Sequence, residues 1–314
     1  MFQLFKERNF SDYINDTFLF FKVLGKHFFK TYFVVNGGLL LIVTVLIYFL
    51  SKVYMDFVFS IASGGIPQAN GMGSYITNNI GVIITVFVAV MLFFLFVTLV
   101  QFAFPVVYLD LYDAKKGTDF TPKDILIGMK KRIPRILKFV VGAVFILFPL
   151  FFIVFGLLIL LCFIIVGFPL LLIMIPAMVS FVNLTFFYYM NSNEGFFSAI
   201  GDAYETVKGQ FWPIVGSTAV MFFIIQMVST VFTLVPYFFG MASMFTTLES
   251  GSMEDRFSVL SIMISIVFVM STIVSYILNN LILINQGMIY YSHIENSESS
   301  ISNDSIDLIG TDSE

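Results

Sequence analysis

The stretch GFFSAIGDAYETVKGQFWPIV, residues 195–215, has one apolar and one polar helix face and then turns directly into a long apolar segment. Phe196, Ile200, Ala203 and Val207 recur at the spacing of an α-helix, and the acidic side chains fall on the opposite face. The pattern predicts an amphipathic helix that leads into a membrane span.

Two weaker copies of this arrangement occur earlier in the chain. SDYINDTFLFFKVLGKHFF (11–29) and TPKDILIGMKKRIPRIL (121–137) also lead into apolar segments. The chain is therefore interpreted as three repeat-like units, about 11–112, 121–190 and 193–291. Each unit is predicted to contain an amphipathic helix followed by a transmembrane hairpin.

Composition places the chain in a lipid bilayer. Of the 314 residues, 59% are hydrophobic, 11% are charged and 41 are phenylalanine. This is more apolar surface than a soluble domain of this length can bury. The single cysteine, Cys162, has no second thiol to pair with. The polar start of the chain has no small-residue cleavage site, so it is not predicted to be a signal peptide.

Six stretches are long and apolar enough to span a bilayer as helices, which predicts an all-α, polytopic fold. They are Phe33–Tyr54, Ile80–Tyr108, Ile136–Ile165, Phe168–Tyr189, Trp212–Met241 and Phe257–Tyr290. Between the third and fourth stretches the chain could turn at Gly156 or at residues 166–169. The second position is preferred because it combines glycine with a following proline.

The distribution of basic residues predicts the orientation. Five basic residues precede the first span, eight lie between the end of the second span and the first turn of the third, and Lys208 lies between the fourth and fifth. That places fourteen of the sixteen on one side, and only Lys52 and Arg256 on the other. The positive-inside rule then predicts that both termini and all three amphipathic helices lie in the cytoplasm. The hypothesis for the location is a bacterial cytoplasmic (inner) membrane.

Each amphipathic run carries helix-start residues. Thr121 and Asp124 flank a proline at the first helical position, and Ser11 and Asn193 are predicted as the other two N-caps. Two interpretations of the apolar faces are open: they lie in the lipid headgroup region, or they pack against the cytoplasmic ends of the spans.

Residues 1–291 are predicted to form a single membrane domain. The outer side carries two short loops, 56–79 and 246–255, and neither is large enough to fold by itself. After His293 the chain has six acidic residues, no basic residue and many serines. Residues 292–314 are therefore predicted to be a disordered acidic cytoplasmic tail.

The candidate site in the membrane is a set of amide side chains. Polar groups are costly in lipid, which makes them the default functional candidates. Two interpretations are open: hydrogen bonds between helices that fix packing, or a polar cavity on the sixth span. The cluster consists of Gln101, Asn183, Asn279, Asn280, Asn285 and Gln286.

The basic segment before the third span is the second candidate site. Because it adjoins a membrane span, anionic lipid headgroups are its nearest partner, and nucleic acid is not expected. The predicted lipid contacts are Lys130, Lys131, Arg132 and Arg135. The two histidines, His27 and His293, lie far apart, and no catalytic set is found in the sequence, so neither a metal, a cofactor nor an enzymatic activity is predicted.

Residues 203–212, AYETVKGQFW, resemble the repeated segment of the membrane-domain family attached to some glycerophosphodiester phosphodiesterases, and of related bacterial membrane proteins. The resemblance implies a multispan fold with amphipathic helices before the hairpins. Asp202 and Glu205 stand where that family usually has basic residues. The chain has no soluble phosphodiesterase domain, so the resemblance implies no catalytic residue.

The sequence thus predicts a non-enzymatic membrane protein that scaffolds, or helps to assemble, a membrane complex with protein partners. The alternative is a permease or lipid-handling transporter that uses the polar residues of the sixth span.

Overall fold

The computed structural model describes residues 2–62, 79–192, 195–247 and 253–311, and within these ranges the regular structure is helical, with no strand. The predicted fold class is confirmed. The helices are α1 (Phe10–Ala62), α2 (Ile80–Lys115), α3 (Pro122–Gly142), a π-helical turn (Ala143–Leu147), α4 (Phe148–Cys162), α5 (Gly167–Asn191), α6 (Phe196–Gly209), α7 (Phe211–Thr247) and α8 (Met253–Thr311).

Six helical stretches in the described residues are long and apolar enough to cross a membrane, which makes the chain an integral membrane protein. They are Phe10–Met55, Ile80–Lys115, Pro122–Cys162, Gly167–Asn191, Phe211–Phe239 and Val259–Ser297. The predicted outer loops lie largely outside the described residues.

The third and fourth spans are joined by a tight turn at residues 163–166, three residues before the preferred position at 166–169, and residues 167–169 begin α5. The alternative, Gly156, lies inside α4. Gly167 is needed there because a Cβ atom on it would lie 2.3 Å from the backbone nitrogen of Cys162. Ile165 has a φ of 68°, in the left-handed region that β-branched residues rarely occupy.

The amphipathic runs differ in how they join their spans. The first belongs to one unbroken helix, α1, of 53 residues. The second continues from α3 through the π-helical turn into α4, where Pro149 lacks the N–H that an α-helical bond to residue 145 would need. The third, α6, is separated from α7 at Gln210. Thus only one of the three is a distinct helix.

The helix starts confirm one predicted cap and correct another. At α3 the Asp124 carboxylate accepts a hydrogen bond from the Thr121 N–H at 2.7 Å, as in a capping box. At α1 the predicted cap Ser11 is wrong, because the cap is Asn9, two residues earlier, which exchanges backbone-to-side-chain bonds of 3.1 Å with Asp12. At α6 the cap is Gly195, and Asn193 lies outside the described residues.

The chain forms two compact units where the sequence predicts one membrane domain. The first unit comprises Met1–Val35, Phe102–Ile224 and Asn279–Glu314; the second comprises Asn36–Gln101 and Ile225–Leu278. These boundaries do not follow the three repeat-like units, which remain a prediction.

The core of the first unit is an aromatic cluster between α1 and α2. Phe28 contacts Phe20, Phe104 and Tyr108 with ring centroids 4.9 to 5.6 Å apart, mostly edge to face. All four rings are completely buried. Edge-to-face pairs of this kind stabilise a core beyond their burial, by about 0.5–1.5 kcal/mol each.

In the second unit most apolar side chains face outward. Leu41, Phe87 and Val231 each expose more than half of their surface. Such a surface suits lipid contact. Inside this unit Gln101 is buried and donates from Nε2 to the Tyr276 carbonyl oxygen at 2.8 Å.

The predicted disordered tail begins inside a helix. α8 continues to Thr311, so the chain does not become irregular at residue 292. The first tail residues are held by the first unit: the Ser292 hydroxyl accepts a hydrogen bond from the Arg8 N–H at 3.0 Å. His293 Nδ1 lies 2.8 Å from the Tyr188 hydroxyl. Composition alone did not anticipate these contacts.

Candidate functional site

Asn285 is the centre of a buried polar cluster in the first unit. Its amide nitrogen donates to the Tyr13 carbonyl oxygen and to the Thr17 hydroxyl, both at 3.2 Å. Its amide oxygen accepts from the Ser217 hydroxyl at 3.4 Å. Asn285 is fully buried. One side chain of α8 therefore joins α1 and α7, which are distant in sequence.

Gln286, the next residue, continues the cluster toward α5. Its Nε2 donates to the Thr218 hydroxyl at 2.7 Å, and Thr218 in turn lies 2.8 Å from the Ser180 hydroxyl. The Oε1 atom of Gln286 has no hydrogen-bond partner among the described residues, and the same holds for Oδ1 of Asn183. Both atoms are buried, so two amide oxygens remain as acceptors in this region.

The other predicted cluster members do not all meet Asn285. Asn183 and Asn280 are buried in the first unit, and Asn279 is half-buried there. Gln101 belongs to the second unit. The grouping of Gln101 with the other five amide residues remains a prediction.

Sequence reasoning missed the residues that complete the cluster. Ser180, Ser217, Thr218 and Thr17 are fully buried hydroxyls. Single serines and threonines are frequent in membrane helices, where they also bond to the carbonyl oxygen four residues earlier, as Thr17 does with Tyr13. The sequence therefore does not show which serines and threonines belong to the cluster.

A buried arginine clamp holds the start of the chain, and it too was missed. The Arg8 side chain is fully excluded from solvent and its Nε donates to Asp16 Oδ2 at 2.8 Å. Its terminal nitrogens donate to the carbonyl oxygens of Leu4 and Gln3 at 2.7 and 2.8 Å. The Tyr112 hydroxyl bonds both backbone groups of Phe2. Residues 2–9 are thereby fixed against α1 and α2.

Of the four predicted lipid contacts, two are exposed and two contact other side chains of the protein. Lys130 and Lys131 are exposed on α3. Arg132 forms an ion pair with Asp110, whose other carboxylate oxygen accepts from the Tyr291 hydroxyl at 3.0 Å. Arg135 lies with its guanidinium carbon 4.9 Å from the centre of the Tyr189 ring. Arg132 thus connects α3, α2 and α8.

Arg135 also borders an open groove of about 640 Å³ in the first unit. Lys138 lies beside it, one helical turn further on, and the remaining lining is apolar or glycine, with Tyr189, Ile146, Phe196 and Phe197. Gly142 lets the Phe196 ring lie close to α3, because a Cβ atom at position 142 would lie 2.7 Å from that ring.

The class of protein that these observations define is an all-α, polytopic integral membrane protein with a buried amide and hydroxyl cluster near one end of its spans. The described residues contain no group of three or more side chains suited to hold a metal ion. Comparison of the chain with protein-family models, with curated proteins and with solved structures gives no match.

Proposed function

We propose that this protein is a non-enzymatic scaffold or assembly subunit of a membrane complex, located in the bacterial cytoplasmic membrane with both termini in the cytoplasm. The observation that carries the proposal is the bonding of Asn285, whose amide groups are satisfied by three other side-chain or backbone groups. A binding site presents polar groups to a cavity. Here the amide groups of Asn285 form hydrogen bonds to neighbouring helices instead.

The buried clamp supports the same proposal. A buried ion pair contributes little net stability, because desolvation offsets the attraction, and its best-attested use is to specify one arrangement. Arg8 and Asp16 therefore favour a first unit of fixed structure. Such a unit suits a protein that presents a surface to partners.

Exposed aromatic side chains provide that surface. Phe197, Tyr204 and Trp212, on α6 and at the start of α7, expose 72%, 57% and 67% of their area. Lys208 lies 5.8 Å from the centre of the Tyr204 ring. Aromatic residues are enriched where proteins bind each other. Protein partners and membrane lipids are therefore the proposed contacts, without nucleic acid, metal or cofactor.

A permease or lipid-handling transporter is the second candidate. It is favoured by the two buried amide oxygens of Asn183 and Gln286 that have no partner among the described residues. A solute or water molecule with hydrogen-bond donors could bind to either oxygen. The resemblance of residues 203–212 to the phosphodiesterase membrane domain is compatible with either candidate and remains a prediction.

Cross-linking in native membranes tests the scaffold proposal. We expect a defined partner to cross-link to the wild-type chain and to be lost in Tyr204→Ala at unchanged thermal stability. The matched control is Phe163→Ala, which removes another exposed aromatic ring, 84% exposed, at the turn between α4 and α5. Equal cross-linking in wild type and Tyr204→Ala would remove α6 from the proposed surface.

A thermal-stability screen separates the two candidates. The purified full-length protein is heated with a panel of ions, metabolites and lipids. The scaffold proposal predicts that no soluble solute stabilises it. A solute that stabilises the wild type but not Asn183→Ala or Gln286→Ala would establish the transporter instead.

A further inference from the structure

We propose that the groove bordered by Arg135 and Lys138 is a binding site for a single anionic phospholipid, with the headgroup phosphate at the two cations and an acyl chain along the apolar wall. The proposal does not depend on whether the protein is a scaffold or a transporter.

The first reason is the pair of neighbouring cations. Arg135 and Lys138 lie three residues apart on α3 and line the same groove. The guanidinium group of Arg135 lies over the buried ring of Tyr189, which restricts its position. Guanidinium and ammonium groups are the usual protein partners of phosphate. None of the described residues that line the groove is acidic.

The second reason is the chemistry of the remaining wall. The ring of Phe196 packs against Phe139 and Tyr189, with centroids 5.6 and 6.1 Å apart, and forms an aromatic floor. Phe197 and Ile146 complete the lining, and Phe197 exposes 72% of its surface. A free phosphate ion gains nothing from such a wall, whereas a lipid acyl chain does.

The third reason is the position of the groove along the chain. Lys138 is the last charged residue before an uninterrupted uncharged stretch from Phe139 through Asn191. The cations therefore lie where the helix passes from the headgroup region into hydrocarbon. A phospholipid places its phosphate and its acyl chains across the same boundary.

The groove also distinguishes Arg135 from its basic neighbours. Lys130 and Lys131 are exposed on the same helix and do not line it, and Arg132 is paired with Asp110. The sequence does not distinguish these four predicted lipid contacts, but of the four only Arg135 lines the groove. Lys138, which was not among the predicted lipid contacts, joins it.

Binding of a soluble short-chain phosphatidylglycerol to the full-length protein in detergent tests the proposal. The variant Arg135→Gln/Lys138→Gln is compared with Lys130→Gln/Lys131→Gln, which removes the same charge from the same helix outside the groove. Each juxtamembrane base contributes roughly a fivefold change in affinity. We expect at least a tenfold loss in the groove variant and less than a threefold loss in the control.

Further measurements define the ligand. Short-chain phosphatidylcholine should bind at least tenfold more weakly than phosphatidylglycerol, and inorganic phosphate at millimolar concentration should not displace the lipid. Phe197→Ala keeps both charges and should still weaken lipid binding severalfold. Lys138→Gln alone, at an exposed position, covers the case in which a change at Arg135 prevents folding.

The proposal is overturned if the two double variants lose affinity equally, because binding would then follow surface charge alone. It is also overturned if inorganic phosphate competes or if Phe197→Ala has no effect, since the site would then take a bare anion. Dissociation of a dimer by Arg135→Gln/Lys138→Gln, with lipid binding unchanged, would assign the groove to a second copy of the chain.

Discussion

Arg8 donates from Nε to the carboxylate of Asp16 at 2.8 Å, and the arginine side chain is fully excluded from solvent. The pair joins the extended start of the chain to the first turns of α1. Removal of one member would leave the other charge buried without its partner, which is more costly than the pair itself is stabilising.

Asp16→Asn and Arg8→Met are therefore expected to lower the free energy of unfolding by about 3–5 kcal/mol. Chemical denaturation of the purified protein in mild detergent measures this. The control is Lys6→Met, since Lys6 also contacts Asp16, at 3.2 Å, but is 40% exposed. It should cost less than about 1 kcal/mol. Similar losses at Lys6 and Arg8 would argue against a buried clamp.

Asn285→Ala is expected to destabilise the protein, because it removes bonds from α8 to α1 and α7. The expected loss is roughly 0.6–2 kcal/mol, the range for hydrogen bonds between membrane helices. Asn279→Ala is the control, since it removes the same amide group from a side chain that is only half-buried, whereas Asn285 is fully buried. Thermal unfolding in detergent compares the two. Loss of a cellular phenotype at Asn285 without loss of abundance would instead indicate a ligand site.

The spans, and a break between the third and fourth of them to within about three residues, were predictable because each depends on local sequence. A run of about twenty apolar residues indicates a membrane span, and a glycine followed by proline indicates a break between helices. The amide residues were also predictable as a class, since Asn285 and Gln286 are rare residue types in lipid. Their function was not, because it depends on Ser217 and Thr17, which come close only when the chain has folded.

The buried face of α6 differs from its most apolar face. The sequence places Phe196, Ile200 and Ala203 on the apolar face, whereas the buried residues are Ala199, Ala203 and Thr206. Small residues let helices approach closely in a membrane protein. A hydrophobicity pattern ranks phenylalanine above alanine and cannot anticipate this preference.

Gly287 allows such a close approach in the first unit. A Cβ atom on Gly287 would lie 2.4 Å from Leu109 Cδ1 and 3.3 Å from the Phe187 ring. Gly287→Ala is therefore expected to cost about 1–3 kcal/mol by overpacking. In Gly287→Ala/Leu109→Ala the loss should be smaller than the sum of the single losses, because the clash is removed.

Gly38→Ala is the matched control for this prediction. No heavy atom lies within 4 Å of the Cβ position of Gly38, so only helix propensity changes. The change should be neutral or stabilise α1 by about 0.5–1 kcal/mol. Equal destabilisation by Gly38→Ala and Gly287→Ala would contradict the close approach.

Ile165→Gly is expected to stabilise the protein. Ile165 has a φ of 68° and a side chain that is 77% exposed, so glycine would relieve backbone strain and lose little packing. The gain should be about 1 kcal/mol, measured as a rise in melting temperature. Ile164→Gly, at the neighbouring position, should destabilise instead. A lower melting temperature for Ile165→Gly would show that the side chain, and not the backbone, governs this turn.

The orientation is predicted from charge and can be tested directly. With fourteen of sixteen basic residues on one side, the positive-inside rule requires a reporter that is active only in the cytoplasm to work when fused after Lys116. The same reporter at Gly71, outside the described residues, should be silent, and a periplasm-specific reporter should show the reverse. Immunoblots of both fusions control for expression, because a silent reporter is informative only when the chain is present. A cytoplasmic signal at Gly71 would invert the topology, and the groove of Arg135 and Lys138 would then face the opposite leaflet.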